Sequence, residues 1–147
     1  QGLSEHVAVL GFSMGASTAI LAGTREPAIE AVIADSPFAD LSELLMGKLN
    51  PFGYTVIRLA GLMVGIDSWQ VSTVGALKHA KAKPLFLIHG DADKVIPVAH
   101  SREVFDAAGP KASLWVVPDA DHLKAFEADK ETYFSRVVEF LNDNVGQ

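Results

Sequence analysis

Cysteine is absent from all 147 residues. That excludes disulfides, cysteine-ligated zinc and a thiol nucleophile, and it leaves the compartment open. Basic residues are the minority: 12 Lys and Arg stand against 18 Asp and Glu, a net charge of −6. This balance argues against a nucleic-acid binder, which presents a basic face to phosphates. Long apolar runs are missing as well. The best candidate, Val56 to Ile66, contains Arg58 and is too short to span a membrane, which takes ~20 residues. Gln1 to His6 lacks the basic and apolar regions of a secretory leader. The first residue is Gln1 and not an initiator methionine, so a processed N-terminus or a piece of a longer chain is expected. Internal repeats and low-complexity tracts are not seen. The chain is 49% hydrophobic and 20% charged, the composition of one soluble globular domain with a sizeable core.

Four short apolar runs stand out: Val7 to Leu10, Ala31 to Ala34, Leu85 to Ile88 and Leu114 to Val117. None alternates with polar residues, so each predicts a strand covered on both faces, as in a parallel sheet. Helical stretches separate them, giving an α/β fold with a parallel sheet of about four strands and flanking helices. The first helix is expected from just beyond Ser13 to about Gly23, with Gly15, Ala16 and Ala19 allowing close approach to the sheet. Asp40 and Glu43 resemble a capping box for a second helix. Pro97 is placed in the first turn of another helix, which Gly109-Pro110 ends. A last helix is expected from about Lys124 to Asn144, burying Tyr133, Val137, Phe140 and Leu141. Residues 41–83 are expected to form a lid-like insert of short helices over the C-terminal edge of the sheet. The whole of 1–147 is read as one domain.

The strongest chemical signal is Gly11-Phe12-Ser13-Met14-Gly15, a G-x-S-x-G pattern between a buried strand and a small-residue helix. That context is a nucleophile elbow, in which flanking glycines relieve clashes and the serine is raised at the strand end. The Met14 N–H is then placed as an oxyanion donor. A serine hydroxyl needs a base. Of His6, His79, His89, His100 and His122, the last follows the fourth strand and is chosen as that base. His89 is expected to be a half-buried packed residue, and the other three to be at the surface. An acid must orient the base. Asp93, after the third strand, is the first choice, with Asp91 and Asp35 as alternatives.

These residues carry a resemblance. Gly11 to Gly15, Asp35-Ser-Pro-Phe38, His89-Gly-Asp-Ala-Asp93 with Val95-Ile-Pro97, and Ala120-Asp-His122 stand in the order found in α/β-hydrolases. The chain resembles the esterase, thioesterase and serine-aminopeptidase-like branch, and nearly its whole length takes part. The resemblance implies an acid just before a V-x-P ending, which is Asp93. It also marks one substitution: Asp121 stands where glycine often precedes the histidine. The family has about eight strands with the elbow after the fifth, whereas here the elbow follows the first. The resemblance therefore covers the C-terminal half of the fold only. The loop that supplies a second oxyanion N–H precedes the elbow in that family, and losing one such donor costs on the order of 100–1000-fold in rate.

The activity expected is a serine hydrolase for carboxylic esters or thioesters, with an acyl-enzyme on Ser13. Phe12, Met46, Met63 and Trp69 are candidate acyl-binding residues, with Leu49, Phe52 and Leu62 beside them. No cofactor is implied. A metal site at His89, Asp91, Asp93 and His122 is the weaker alternative for the same rim. A second functional class is a catalytically weak or inert module that needs its N-terminal half or a partner chain. The Val7–Leu10 strand is expected to be an apolar edge, open to self-association or to pairing with another segment.

Overall fold

The computed structural model describes residues 6–65 and 67–146. Gln1 to Glu5, on which the leader reading rests, lie outside the described residues, as does Ile66. The strands are β1 (Val7–Phe12), β2 (Ile29–Asp35), β3 (Leu85–Gly90) and β4 (Ala112–Val117). They form one parallel sheet in the order β1-β2-β3-β4. Each strand contains one of the apolar runs and extends it by a residue or more.

Period-two alternation sends neighbouring residues to opposite faces, both covered by helices, which is why the middle of each strand is continuously apolar. On one face Val32, Ala34, Leu85 and Leu87 pack with Ala16, Ala19 and Ile20 of α1 (Met14–Arg25). Val104 and Ala108 of α5 (Ala99–Ala108) complete that cluster. On the other face Ile33, Phe86, Ile88 and Val117 meet Ala125 of α6 (Ala125–Ala128) and Tyr133 of α7 (Lys130–Asn144). Val137, Phe140 and Leu141 pack against this second cluster. Among the described residues, no helix is long and apolar enough to cross a membrane.

Residues 41–83 divide in two. Helices α2 (Leu41–Lys48) and α3 (Pro51–Met63) carry most of the exposed apolar side chains, and α3 has no buried residue. Helix α4 (Thr73–His79) instead packs on α1 and α5. Thr73 is fully buried and donates to the Phe38 and Ala39 carbonyls, so α4 belongs to the layer covering the sheet.

Three local expectations are corrected. Asp40 makes no side-chain cap, because its backbone pairs with Ser72 in an antiparallel bridge and lies extended. Pro97 lies before α5 and not within it, although its carbonyl accepts from His100 N. The last helix is broken at Asp129, whose side chain accepts from Thr132 N and caps α7 anew.

Candidate active site

The parallel sheet brings the C-terminal ends of all four strands to one rim. Among the described residues, the non-glycine positions with positive φ all lie there: Ser13, Ser36, Asp119 and Leu123. Such conformations cost of order 1–3 kcal/mol each and persist where the surroundings hold them. Ser13 has φ 52° and ψ −121°, and its N–H donates to the Asp35 carbonyl at 2.8 Å. Gly11 makes this turn feasible. A Cβ there would lie 2.6 Å from the Gly15 carbonyl carbon and 2.8 Å from Ala16 N. Gly15 differs from the elbow expectation, since an added Cβ meets nothing within 4 Å among the described residues.

Three side chains meet at the rim. His122 Nε2 is 3.0 Å from Ser13 Oγ, and His122 Nδ1 is 2.7 Å from Asp93 Oδ2. The carboxylate only accepts, so Nδ1 carries the proton and the Nε2 lone pair faces the hydroxyl. Asp93 has a fully buried side chain, while that of His122 is 16% exposed and so reachable from solvent. Asp93 Oδ1 accepts from Val95 N and Ile96 N, both at 2.8 Å, so the chain reversal before Pro97 anchors the acid.

The acid loop and the base loop are laced together. A Cβ at Gly90 would lie 2.7 Å from the Ala120 carbonyl carbon, so only glycine allows this approach. Asp91 N donates to Val117 O and Ala92 N to Ala120 O, each at 3.1 Å. Asp121, the position that departs from the resemblance, supplies a further tie. Its Oδ1 accepts from Lys94 N at 3.0 Å and from His122 N at 2.8 Å. These bonds, that to Lys94 first, hold its carboxyl below the usual range.

The two other aspartates have different work. Asp91 Oδ1 accepts from Asp119 N at 2.7 Å, and no group of three or more His, Asp or Glu among the described residues is gathered closely enough to hold a metal ion. Asp35 is buried and accepts from Ser36 Oγ at 3.0 Å and Tyr133 OH at 3.1 Å. Burial pushes its carboxyl above the ordinary value, against these two bonds. Burial, then the Asp35 charge, likewise raises the Tyr133 phenol.

Two histidine expectations are corrected. His89 is wholly buried, since it sits in β3 between both helical layers. His100 is 7% exposed and not at the surface, with Nδ1 accepting from Ala39 N at 3.4 Å. The signal was present: His100, Val104 and Ala108 share one helical face by i, i+4 spacing. His6 and His79 are exposed, and His6 pairs with Glu30.

The candidate acyl-binding residues scatter. Phe12 and Met46 are about half exposed, Met63 is 88% exposed, and Trp69 lies under the Arg58 guanidinium. Met46 and Leu49 line a cleft with Pro51, Tyr54 and Thr55 that includes neither Ser13 nor His122.

A parallel α/β sheet with a serine elbow, a base and an acid on its C-terminal rim defines an α/β-hydrolase-superfamily protein. The comparisons agree. The Prolyl oligopeptidase family profile matches residues 3–147, and the chain belongs to that family. The uncharacterised protein YfhR of Escherichia coli K12 is 29% identical over 141 residues, which are 93% of this chain and 45% of YfhR. Esterase LipQ of Mycobacterium tuberculosis is 24% identical over 164 residues, 99% of this chain and 38% of LipQ. The structure of the Pyrococcus furiosus esterase Pf2001 matches with a TM-score of 0.70 and 31% identity, covering 95% of this chain and 54% of that one. The chain thus spans about half the length of Pf2001 and less than half that of the two curated relatives. LipQ and Pf2001 are named as esterases and the matching family as an oligopeptidase family, all hydrolase names.

Proposed function

We propose that this chain carries the nucleophile, base and acid of a serine hydrolase that cleaves carboxylic esters or thioesters. The observation that carries the proposal is the continuous hydrogen-bonded line Ser13 Oγ, His122 Nε2, His122 Nδ1, Asp93 Oδ2. In the proposed cycle Ser13 Oγ attacks the acyl carbon while His122 Nε2 takes its proton. Asp93 stabilises the imidazolium and stays ionised. Met14 is the first residue of α1, where a backbone N–H has no intrahelical partner, so it can donate to the oxyanion. The C–O or C–S bond then breaks, and His122 returns the proton to the leaving alcohol or thiol. Water, deprotonated by His122, releases the acyl group and restores Ser13.

Esters are favoured over amides because LipQ and Pf2001 are named as esterases, although the family name points to peptides. Of the candidate acyl-binding residues, Phe12, half exposed beside Ser13, is the one that supports acyl binding at the nucleophile. Hydrolysis of p-nitrophenyl esters of rising chain length, with a peptide p-nitroanilide alongside, tests this. The expected result is ester turnover that is lost in Ser13→Ala and His122→Ala and reduced less in Asp93→Asn. Full turnover in Ser13→Ala would refute it.

One observation favours a second reading, a module that works only with further chain beside it. Leu10 and Phe12 lie on the face that α7 covers further along the sheet, yet they are 42% and 46% exposed, and β1 pairs only with β2 among the described residues. An apolar edge of this kind recruits another strand, from a longer chain or a second copy. Light scattering that finds a strictly monomeric, stably folded chain would refute this reading.

A further inference from the structure

Among the described residues, three buried side-chain atoms have no hydrogen-bond partner: Tyr54 OH, Arg58 Nε and Ser68 Oγ. All three lie within residues 41–83, which hold no member of the Ser13, His122 and Asp93 line. Tyr54 and Arg58 stand one turn apart on α3. Ser68 opens the one-turn helix Ser68–Gln70 and is 7% exposed. A buried polar group without a partner is costly, so each calls for an occupant that can bond to it. Arg58 and Ser68 border one cavity of about 90 Å³ between α2 and α3. Leu41, Leu45, Ile57 and Gly61 make up the rest of its wall, so it contains no carboxylate. The Arg58 guanidinium lies over the Trp69 ring, 5.6 Å from its centre. Asp67 Oδ1 is 3.9 Å from Arg58 Nε, too far for a hydrogen bond, and already accepts from Trp69 N at 3.2 Å. Arg58 Nε–H is therefore a charged donor with no acceptor.

We propose that this cavity is a binding site for a short-chain carboxylate, whose oxygens accept from Arg58 Nε–H and Ser68 Oγ–H while its alkyl tail lies against Leu41, Leu45 and Ile57. A carboxylate is the acceptor that bonds most strongly to a guanidinium. The apolar wall asks for an apolar body behind that acceptor. Water answers less well, because a buried water makes about three hydrogen bonds and the wall offers only two polar side chains. Size sets the upper limit: the space is smaller than the ~150 Å³ that takes a benzene, so the fit is to a molecule the size of propionate. Neither Ser13 nor His122 borders the cavity, so the site goes beyond the serine-hydrolase reading and does not depend on it.

Solution NMR of the protein titrated with sodium propionate tests the proposal. The Leu41, Leu45 and Ile57 methyl resonances and the Arg58 Nε–H resonance are expected to move saturably, the last of them downfield. Propylammonium has similar bulk, the opposite charge and no acceptor, and is expected to move none of them. Two variants remove the donors singly. Arg58→Lys keeps the charge and drops Nε–H, and its propionate affinity is expected to fall about 10-fold or more, the equivalent of one hydrogen bond to a charged group. Ser68→Ala drops the hydroxyl, and its affinity is expected to fall about 3–10-fold. That hydroxyl has no partner in the protein, so Ser68→Ala is expected to fold with an unchanged or higher Tm. If Arg58→Lys does not fold, Ser68→Ala and the propylammonium titration still decide. A propionate response that does not saturate, an equal response to propylammonium, or a Ser68→Ala protein that binds propionate like the parent would each overturn the proposal.

Discussion

The two elbow glycines are expected to respond differently to the same added methyl. In Gly11→Ala the new Cβ would sit 2.6 Å from the Gly15 carbonyl carbon and 2.8 Å from Ala16 N, against the 3.4 Å where ordinary contact begins. Both obstacles are backbone in the first turn of α1, so no side chain can swing aside. The Gly15 carbonyl oxygen lies closer still, so the turn must retreat by about 1 Å from β1, and Ser13 is the hinge between them. Overpacking of this kind costs about 1–3 kcal/mol. For a chain of this size that is a fall in Tm of roughly 2–12 °C. The 3.0 Å contact between Ser13 Oγ and His122 Nε2 is stretched as well. A misplacement near 1 Å costs about 100-fold in rate. Gly15→Ala adds its methyl in open space, and alanine is the better helix former by up to about 1 kcal/mol. Its Tm should hold or rise and its labelling stay near that of the parent. Differential scanning fluorimetry and timed fluorophosphonate labelling read both effects. A Gly11→Ala protein with unchanged Tm and unchanged labelling would refute the reasoning, and so would equal damage from the two substitutions.

Asp35 sets an acid-range dependence of stability. Its folded carboxyl titrates above the ordinary 3.8, so the native state holds a proton that the unfolded chain loses first as pH rises. Stability from this group is therefore highest below 3.8 and declines as pH climbs through the folded value. The Tm advantage of Asp35→Asn over the parent should be largest at neutral pH and shrink toward pH ~4; a constant difference would contradict it. Asp121→Ala leaves Lys94 N and His122 N without their acceptor and loosens the two loops, so labelling should fall roughly 2–10-fold. Asp121→Asn keeps an acceptor oxygen and should fall less than about twofold; equal losses in the two variants would remove the tie from the account.

Much of the fold was legible because the strands announce themselves as uninterrupted apolar runs. Val32 and Ile33 are both buried, on opposite faces, so sequence and structure say the same thing there. The site was legible for a related reason. Strand ends fix where loops emerge, and Ser13, Asp93 and His122 each follow a strand of one parallel sheet. What could not be read was set by tertiary contacts. Asp40 resembles a cap by spacing, but its partner Ser72 lies 32 positions on. The break at Asp129 interrupts an otherwise helical pattern with a local Asx cap. The bond between His89 and Ser101 depends on β3 and α5 being side by side, which no local pattern declares. Gly15 shows the reverse case, a motif position whose usual reason finds no neighbour among the described residues.

Intact-protein mass spectrometry after fluorophosphonate treatment, with the adduct located by peptide mapping, tests the nucleophile most directly. The account predicts one adduct, on Ser13, absent from Ser13→Ala and much slower in His122→Ala. A folded protein that takes no adduct, or takes it on another residue at the same rate in Ser13→Ala, would contradict it.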